Sequence, residues 1–246
     1  MTMKGLTAAN LLTVWEQGIS QSAAQRGLLL LMAACPDQSP EQLAQISIGQ
    51  RDNHLLTLRE QTLGSQLVSV VNCPSCNSNL ELNFTVSDIR QPPILEPSSG
   101  LLLATEEYEI EFRLPNSLDL HAVEQMSDVS QAAQQILERC ILSAHYQGQP
   151  VSPDHIPPRI NQALLEKMEQ IDQQADIQLA VSCPDCGHQW QAPFDILSFF
   201  WQELTAWAQR ILRDVHQLAS AYGWREADIL AMSPQRRQFY LEMIHQ

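Results

Sequence analysis

Glycine is scarce in this chain, 9 residues in 246, and no run of it forms a phosphate-cradling loop. The chain has no Gly-x-Ser-x-Gly elbow, and no nucleophile and base stand in a catalytic arrangement. Its seven histidines are scattered, with no His-x-x-x-His spacing to build a metal site of their own. Basic residues are few: Lys plus Arg is 14 against 28 Asp plus Glu, a formal charge of −14. Such a field repels phosphate backbones unless a strong basic patch offsets it, and none is evident. Long apolar runs are missing too. The longest, Gly27 to Cys35, falls well short of the roughly 20 residues that cross a bilayer, and the N-terminus lacks the apolar core of a signal peptide. These absences predict a non-enzymatic chain that takes no small-molecule substrate, does not insert into a membrane, and is made and kept in the cytoplasm.

What is present is a matched pair of tetrapeptides, Cys73-Pro74-Ser75-Cys76 and Cys183-Pro184-Asp185-Cys186. Short runs with strand character flank both: Gln66 to Val71 and Asn79 to Phe84 around the first, Asp176 to Val181 and His188 to Phe194 around the second. Two cysteines separated by two residues in a tight turn put both thiolates on one side. Two such turns facing each other make a closed four-thiolate site suited to Zn²⁺. A reducing cytoplasm favours metal over disulfides. A thioredoxin-type dithiol would open a helix after a strand, whereas strands follow both pairs. The expected centre is therefore one structural Zn²⁺ on Cys73, Cys76, Cys183 and Cys186, which saturate the ion and leave no open position for catalysis. His188 is expected beside this site rather than in it. Cys35 and Cys140 are expected as buried structural thiols.

The pattern predicts an α+β fold, predominantly α-helical, in which two β-hairpins form a split zinc ribbon. Residues 1–65 form an N-terminal helical region, with two helices broken at Gly18 and a third started by Ser39, Pro40 and Gln42. A fourth helix is predicted after Asp52, ending at Gly64, with Gly49 in a turn and Arg51 and Asp52 as cap and surface charges. Residues 66–90 and 174–195 form the split ribbon. Residues 91–173 form an acidic, α-rich insertion behind a Pro/Ser linker from Gln91 to Gly100. In it a strand carrying Tyr108, Ile110 and Phe112 precedes helices over Leu118–Met126, Val129–Tyr146 and Arg159–Ile171. From Asn77 to Ser182 there are 16 acidic and 5 basic residues, read as a solvated acidic face.

Residues 196–246 form a long helix from Asp195 to Tyr222, stopped by Gly223, and a short helix-turn-helix. The apolar positions Leu197, Trp201, Leu204, Ala208, Ile211, Val215, Leu218 and Tyr222 alternate steps of four and three, a seam of coiled-coil type. Phe200 and Trp207 widen that seam beyond what core packing needs. In the tail, Ile229, Leu230 and Met232 are expected against Phe239, Tyr240 and Met243, and Arg236-Arg237 is the one adjacent basic pair. Phe200, Trp201, Trp207, Trp224, Arg236 and Arg237 are the candidate partner-binding residues.

Taken in order, Ile48-Gly49-Gln50-Arg51-Asp52, the leucines after it, the first Cys-Pro-x-Cys, Phe112-Arg113-Leu114-Pro115 and the second Cys-Pro-x-Cys-Gly-His form a recognisable set. This set resembles a family of phage and phage-like baseplate proteins, of the T-even hub or hub-assembly type and their counterparts in contractile injection systems. Tyr222-Gly223-Trp224 and the residues after it resemble short tail-assembly modules. The resemblance implies a structural part or assembly factor of a contractile tail, with other baseplate or tail proteins as partners and no catalytic residues. The competing classes are a nucleic-acid-binding or transcription-associated zinc ribbon, which the acidic charge opposes, and a thiol-disulfide oxidoreductase.

Overall fold

A computed structural model describes residues 3–92 and 100–244; most of the predicted Pro/Ser linker, residues 93–99, lies outside them. The N-terminal helices begin where short polar side chains replace missing backbone partners. Helix α1 (Ala8–Gly18) is boxed by Thr7 and Asn10, α2 (Ala23–Ala34) by Ser22 and Gln25, and α3 (Pro40–Gln45) by Ser39 and Gln42. Helix α4 (Ile48–Leu63) differs from the reading above. It starts five residues earlier, at an N-cap on Ser47 whose hydroxyl accepts from the Gln50 amide at 3.2 Å. Gly49 is thus helical rather than a turn residue, and Arg51 and Asp52 are buried rather than surface charges.

Two hairpins frame the middle of the chain. Strands β1 (Gln66–Asn72) and β2 (Asn79–Thr85) pair antiparallel, followed by the short α5 (Val86–Ile89). Between the hairpins lies a unit with its own core, in which helices are joined by more strands than the single one expected. Strands β3 (Leu101–Ala104) and β4 (Tyr108–Phe112) lead to α6 (Ser117–Val123) and α7 (Val129–Cys140). Strands β5 (Ile141–Tyr146) and β6 (Gln149–Pro150) complete an antiparallel sheet in the order β3-β4-β5-β6. The predicted helix to Tyr146 therefore stops at Cys140. The chain reverses at Gln147 and Gly148, both with positive φ, the backbone of a two-residue hairpin turn. Helix α8 (Pro158–Ile171) covers the sheet. Ile110, Phe112, Leu137, Cys140 and Leu164 are packed together there.

The second hairpin, β7 (Ile177–Ser182) and β8 (Gln189–Phe194), runs into α9 (Ile196–Tyr222). Asp195 caps α9 by accepting from the Leu197 and Ser198 amides, each at 3.1 Å, and Gly223 ends it in the left-handed conformation. Helices α10 (Glu226–Leu230) and α11 (Pro234–Ile244) fold back on its end. There Ile229 and Leu241 close on Val215 and Leu218, while Phe239 and Met243 are exposed. Helix α11 is rotated so that Leu241, not Phe239, faces the long helix.

The largest core joins parts far apart in sequence. Leu30, Leu31, Leu55, Leu56 and Leu58 of α2 and α4 meet Leu67 and Ile177 at the hairpin bases and Leu197, Phe200 and Leu204 of α9. The N-terminal region and the long helix thus share one interior. Arg59, buried in α4, ties them by a two-pronged contact to Glu203 of α9, at 2.9 and 2.7 Å, and donates to the Gly64 carbonyl at 2.6 Å. The fixed fork of a guanidinium suits that geometry. Among the described residues no helix is long and apolar enough to cross a membrane.

Candidate metal centre

Each cysteine pair is built by its hairpin in the same way. In the first, the Cys73 amide donates to the Ser78 carbonyl at 2.9 Å and the Asn77 amide to the Cys73 carbonyl at 2.8 Å. In the second, the Cys183 amide donates to the His188 carbonyl at 2.8 Å and the Gly187 amide to the Cys183 carbonyl at 2.9 Å. The residue after the second cysteine is left-handed in both turns, Asn77 with φ 61° and Gly187 with φ 73°. Glycine and asparagine are the residues that enter this region at least cost. The two turns are structural copies, related by an approximate two-fold exchange.

That symmetry carries through to the sulfurs. Cys73 Sγ lies 3.6 Å from Cys186 Sγ, and Cys76 Sγ lies 3.6 Å from Cys183 Sγ. All four lie within 4.8 Å of one another. Zn–S bonds of about 2.3 Å in a tetrahedron place sulfurs roughly 3.8 Å apart, whereas a disulfide needs about 2.05 Å. The donor set therefore fits a tetrahedral thiophilic ion and not a pair of disulfides. The leading cysteine of each pair is buried and the second exposed.

The thiols also differ in acidity. Bonds from the Ser78 hydroxyl and amide lower the Cys76 thiol to about 6. Cys186 receives a bond from the His188 backbone, but its hydrogen bonds with the Cys76 thiol and the other two, together with burial, push it up to about 11. Four thiols this close cannot all ionise unaided, and a divalent cation relieves that repulsion. His188 lies outside the cluster and stacks on Trp190 with ring centroids 5.7 Å apart. Cys35 and Cys140 are buried elsewhere, and burial raises both.

A protein-family profile described as "T4 bacteriophage base plate protein" matches residues 7–201. The chain belongs to that family. The match takes in both hairpins, the whole mixed unit between them and the first turns of α9, and leaves the tail helices beyond it. No curated protein and no solved structure matches the chain. Membership supports a structural or assembly role in a phage baseplate, with other baseplate or tail proteins as its contacts.

Within this baseplate protein, the short motifs outside the hairpins meet at the joints between units. The Ile48 amide donates to the Pro115 carbonyl at 3.0 Å, and the Gly49 amide donates to Asp172 Oδ2 at 3.0 Å. A side chain at Gly49 would overlap the Asp172 carboxylate, so only glycine admits this close approach. Arg113 and Arg139 both grip the fully buried Asp119. Burial pushes that carboxyl up, but the Arg113 bond, the Asn116 amide and Arg139 outweigh it and hold it below its usual value. The Ile48 and Gly49 bonds tie α4 to Pro115 within the intervening unit and to Asp172 at its end, while the Asp119 cluster holds residues 113–139 of that unit together.

The candidate partner residues divide in two. Phe200 and Trp201 are packed into the main core, and Arg237 is buried with its guanidinium donating to the Met232 carbonyl at 2.6 Å. They offer no surface to a partner, because the second apolar stripe of α9 is consumed by α1, α2 and α4. Arg237 also breaks up the one adjacent basic pair as a contact for phosphates. Trp207 is half-buried, and Trp224 stacks on Tyr222 with centroids 4.4 Å apart. Arg236 is exposed, over the Tyr240 ring at 5.8 Å.

Proposed function

We propose that this chain is a non-enzymatic component or assembly factor of a contractile-tail baseplate, of the hub or hub-assembly type. Its four cysteines hold one structural Zn²⁺ as a split ribbon. The observation that carries the reading is the convergence of two copied Cys-Pro-x-Cys turns, 107 residues apart, inside the family match. Four thiolates close the coordination sphere, so the ion would supply shape rather than chemistry. Its binding energy would count towards folding, because the unfolded chain has no preformed site.

Two measurements test the two parts. Elemental analysis of protein purified without chelator should give one zinc per chain, and a folded, zinc-free protein would remove the metal. Deleting the gene from its phage or injection-system cluster should leave tubes or sheaths without complete baseplates under the electron microscope. Normal particles would remove the baseplate role, and a particle fraction containing or lacking the chain separates component from assembly factor. Stacked Trp224 and exposed Arg236 are the remaining surface candidates for contact with neighbouring tail proteins.

A further inference from the structure

Beside the cysteine cluster, a groove of about 630 Å³ opens between β2 and β7. Its walls are consecutive residues, Glu81 to Phe84 on one side and Asp176 to Val181 on the other. A strand face would contribute alternate residues, so each wall is a strand edge. Hydrogen-bond parity confirms this. In an antiparallel ladder, bonded and non-bonded pairs alternate. The Cys73–Ser78 and Cys183–His188 bonds fix the phase of each hairpin. The Val86 to Ser65 bond obeys the same phase, and Pro193, which has no N–H, falls where the backbone points away from β7. The backbone groups of Glu81 and Asn83 therefore point away from β1, and those of Gln178 and Ala180 away from β8. The two hairpins form separate sheets, and among the described residues these four have no backbone partner across the groove.

Two open edges thus face each other, held at one end by the cysteine turns and at the other by the Gln91 amide donating to Gln174 Oε1 at 2.7 Å. The groove is chemically two-sided. Leu82, Phe84, Leu179 and Val181 make its inner side apolar. Its charged residues are Glu81, Asp88 and Asp176, with no Lys, Arg or His.

We propose that the groove receives an extended segment of a partner protein as a central strand joining the two hairpins, with apolar side chains facing inward and Lys or Arg facing outward. Strand addition to an exposed edge draws affinity from main-chain bonds and specificity from alternate side chains. Here both sides of the added strand find partners, and the three carboxylates select a basic segment. The proposal deepens the baseplate reading and rests on it for the partner's origin, but its test does not use a baseplate.

The probe is a seven-residue acetylated and amidated peptide alternating Lys and Val, mixed with the full chain and followed by hydrogen exchange. The expected result is slowed exchange at the amides of Glu81, Asn83, Gln178 and Ala180, and none with a Glu–Val peptide of the same length. Ala180→Pro removes one outward N–H without touching the β7–β8 ladder and should weaken binding at least tenfold with melting unchanged. Should that variant misfold, Glu81→Lys, on an exposed side chain, should weaken the Lys–Val peptide at least tenfold. Equal binding of both peptides, protection at Val68 and Val70 on the outer edge of β1, or no binding at millimolar peptide would each overturn the proposal. A baseplate defect in the deletion strain alongside such a result would leave the tail role standing and remove only the groove.

Discussion

Cys76→Ser separates metal binding from packing more sharply than any other single change. Cys76 is exposed, and its sulfur's hydrogen-bonding neighbours among the described residues are the Cys183 thiol and the Ser78 hydroxyl. Without a metal the substitution is an ordinary surface change, within about 0.5 kcal/mol of neutral. With one, it removes a quarter of the coordination sphere. Structural zinc sites contribute about 10–16 kcal/mol of apparent binding energy, so losing one ligand in four forfeits roughly 3 kcal/mol. In a chain of this size that is a fall in Tm of about 6–12 °C. The assay is paired: zinc per chain by elemental analysis, and thermal unfolding with and without a micromolar zinc supplement. Cys73→Ser should lose zinc equally but cost more, since Cys73 is buried. A Cys76→Ser protein that melts with the wild type in the presence of zinc would refute the four-thiolate centre.

Three further perturbations address the joints. Gly49→Ala forces a methyl group into the Asp172 carboxylate and endangers the amide bond beside it; unfolding by urea should show a loss of about 2–4 kcal/mol, and a neutral result would mean the two units are not locked together there. Glu203→Ala leaves Arg59 buried without its partner, and the same measurement should show about 3 kcal/mol lost, with Glu203→Gln costing less. Burial pushes the Asp52 carboxyl up to about 6, against the pull of Arg51. Its charged form is therefore disfavoured in the folded state, a cost of up to about 3 kcal/mol that is present above pH 6 and relieved as pH falls towards 4. Relative to Asp52→Asn, the wild type should gain stability between pH 7 and pH 5, and a loss over that interval would contradict the assignment.

Where the sequence was legible, a local pattern carried the whole signal. Ser39-Pro40-Glu41-Gln42, the two Cys-Pro-x-Cys turns and the stretch from Asp195 to Gly223 each contain their own start, period or stop, and the structure follows them. Where reading failed, a partner distant in sequence decided the outcome. Helix α4 extends back to Ile48 because Pro115 and Asp172, 67 and 123 residues or more downstream, meet its first amides. Strand β5 was read as the end of a helix because Ile141 to Tyr146 has no helix breaker before it. Its pairing with β4 overrides local preference, and the one available clue was the Gln147-Gly148 turn. The width of the apolar stripe on α9 was visible, but not that α1, α2 and α4 would cover it. The cysteine residues themselves were evident. That their sulfurs come together depends on the fold of everything between them.

That dependence also sets an order of events during synthesis. The cysteine turns are 107 residues apart, and at about 5–20 residues per second the first leaves the ribosome roughly 5–20 s before the second. In that interval residues 101–171, which supply a core of their own, can collapse on a timescale far shorter than the wait. The first turn holds only two of four ligands throughout, too few to retain an ion against cellular thiols. Capture of the proposed zinc would thereby be postponed until the second turn has emerged, by which time the intervening unit has had time to fold.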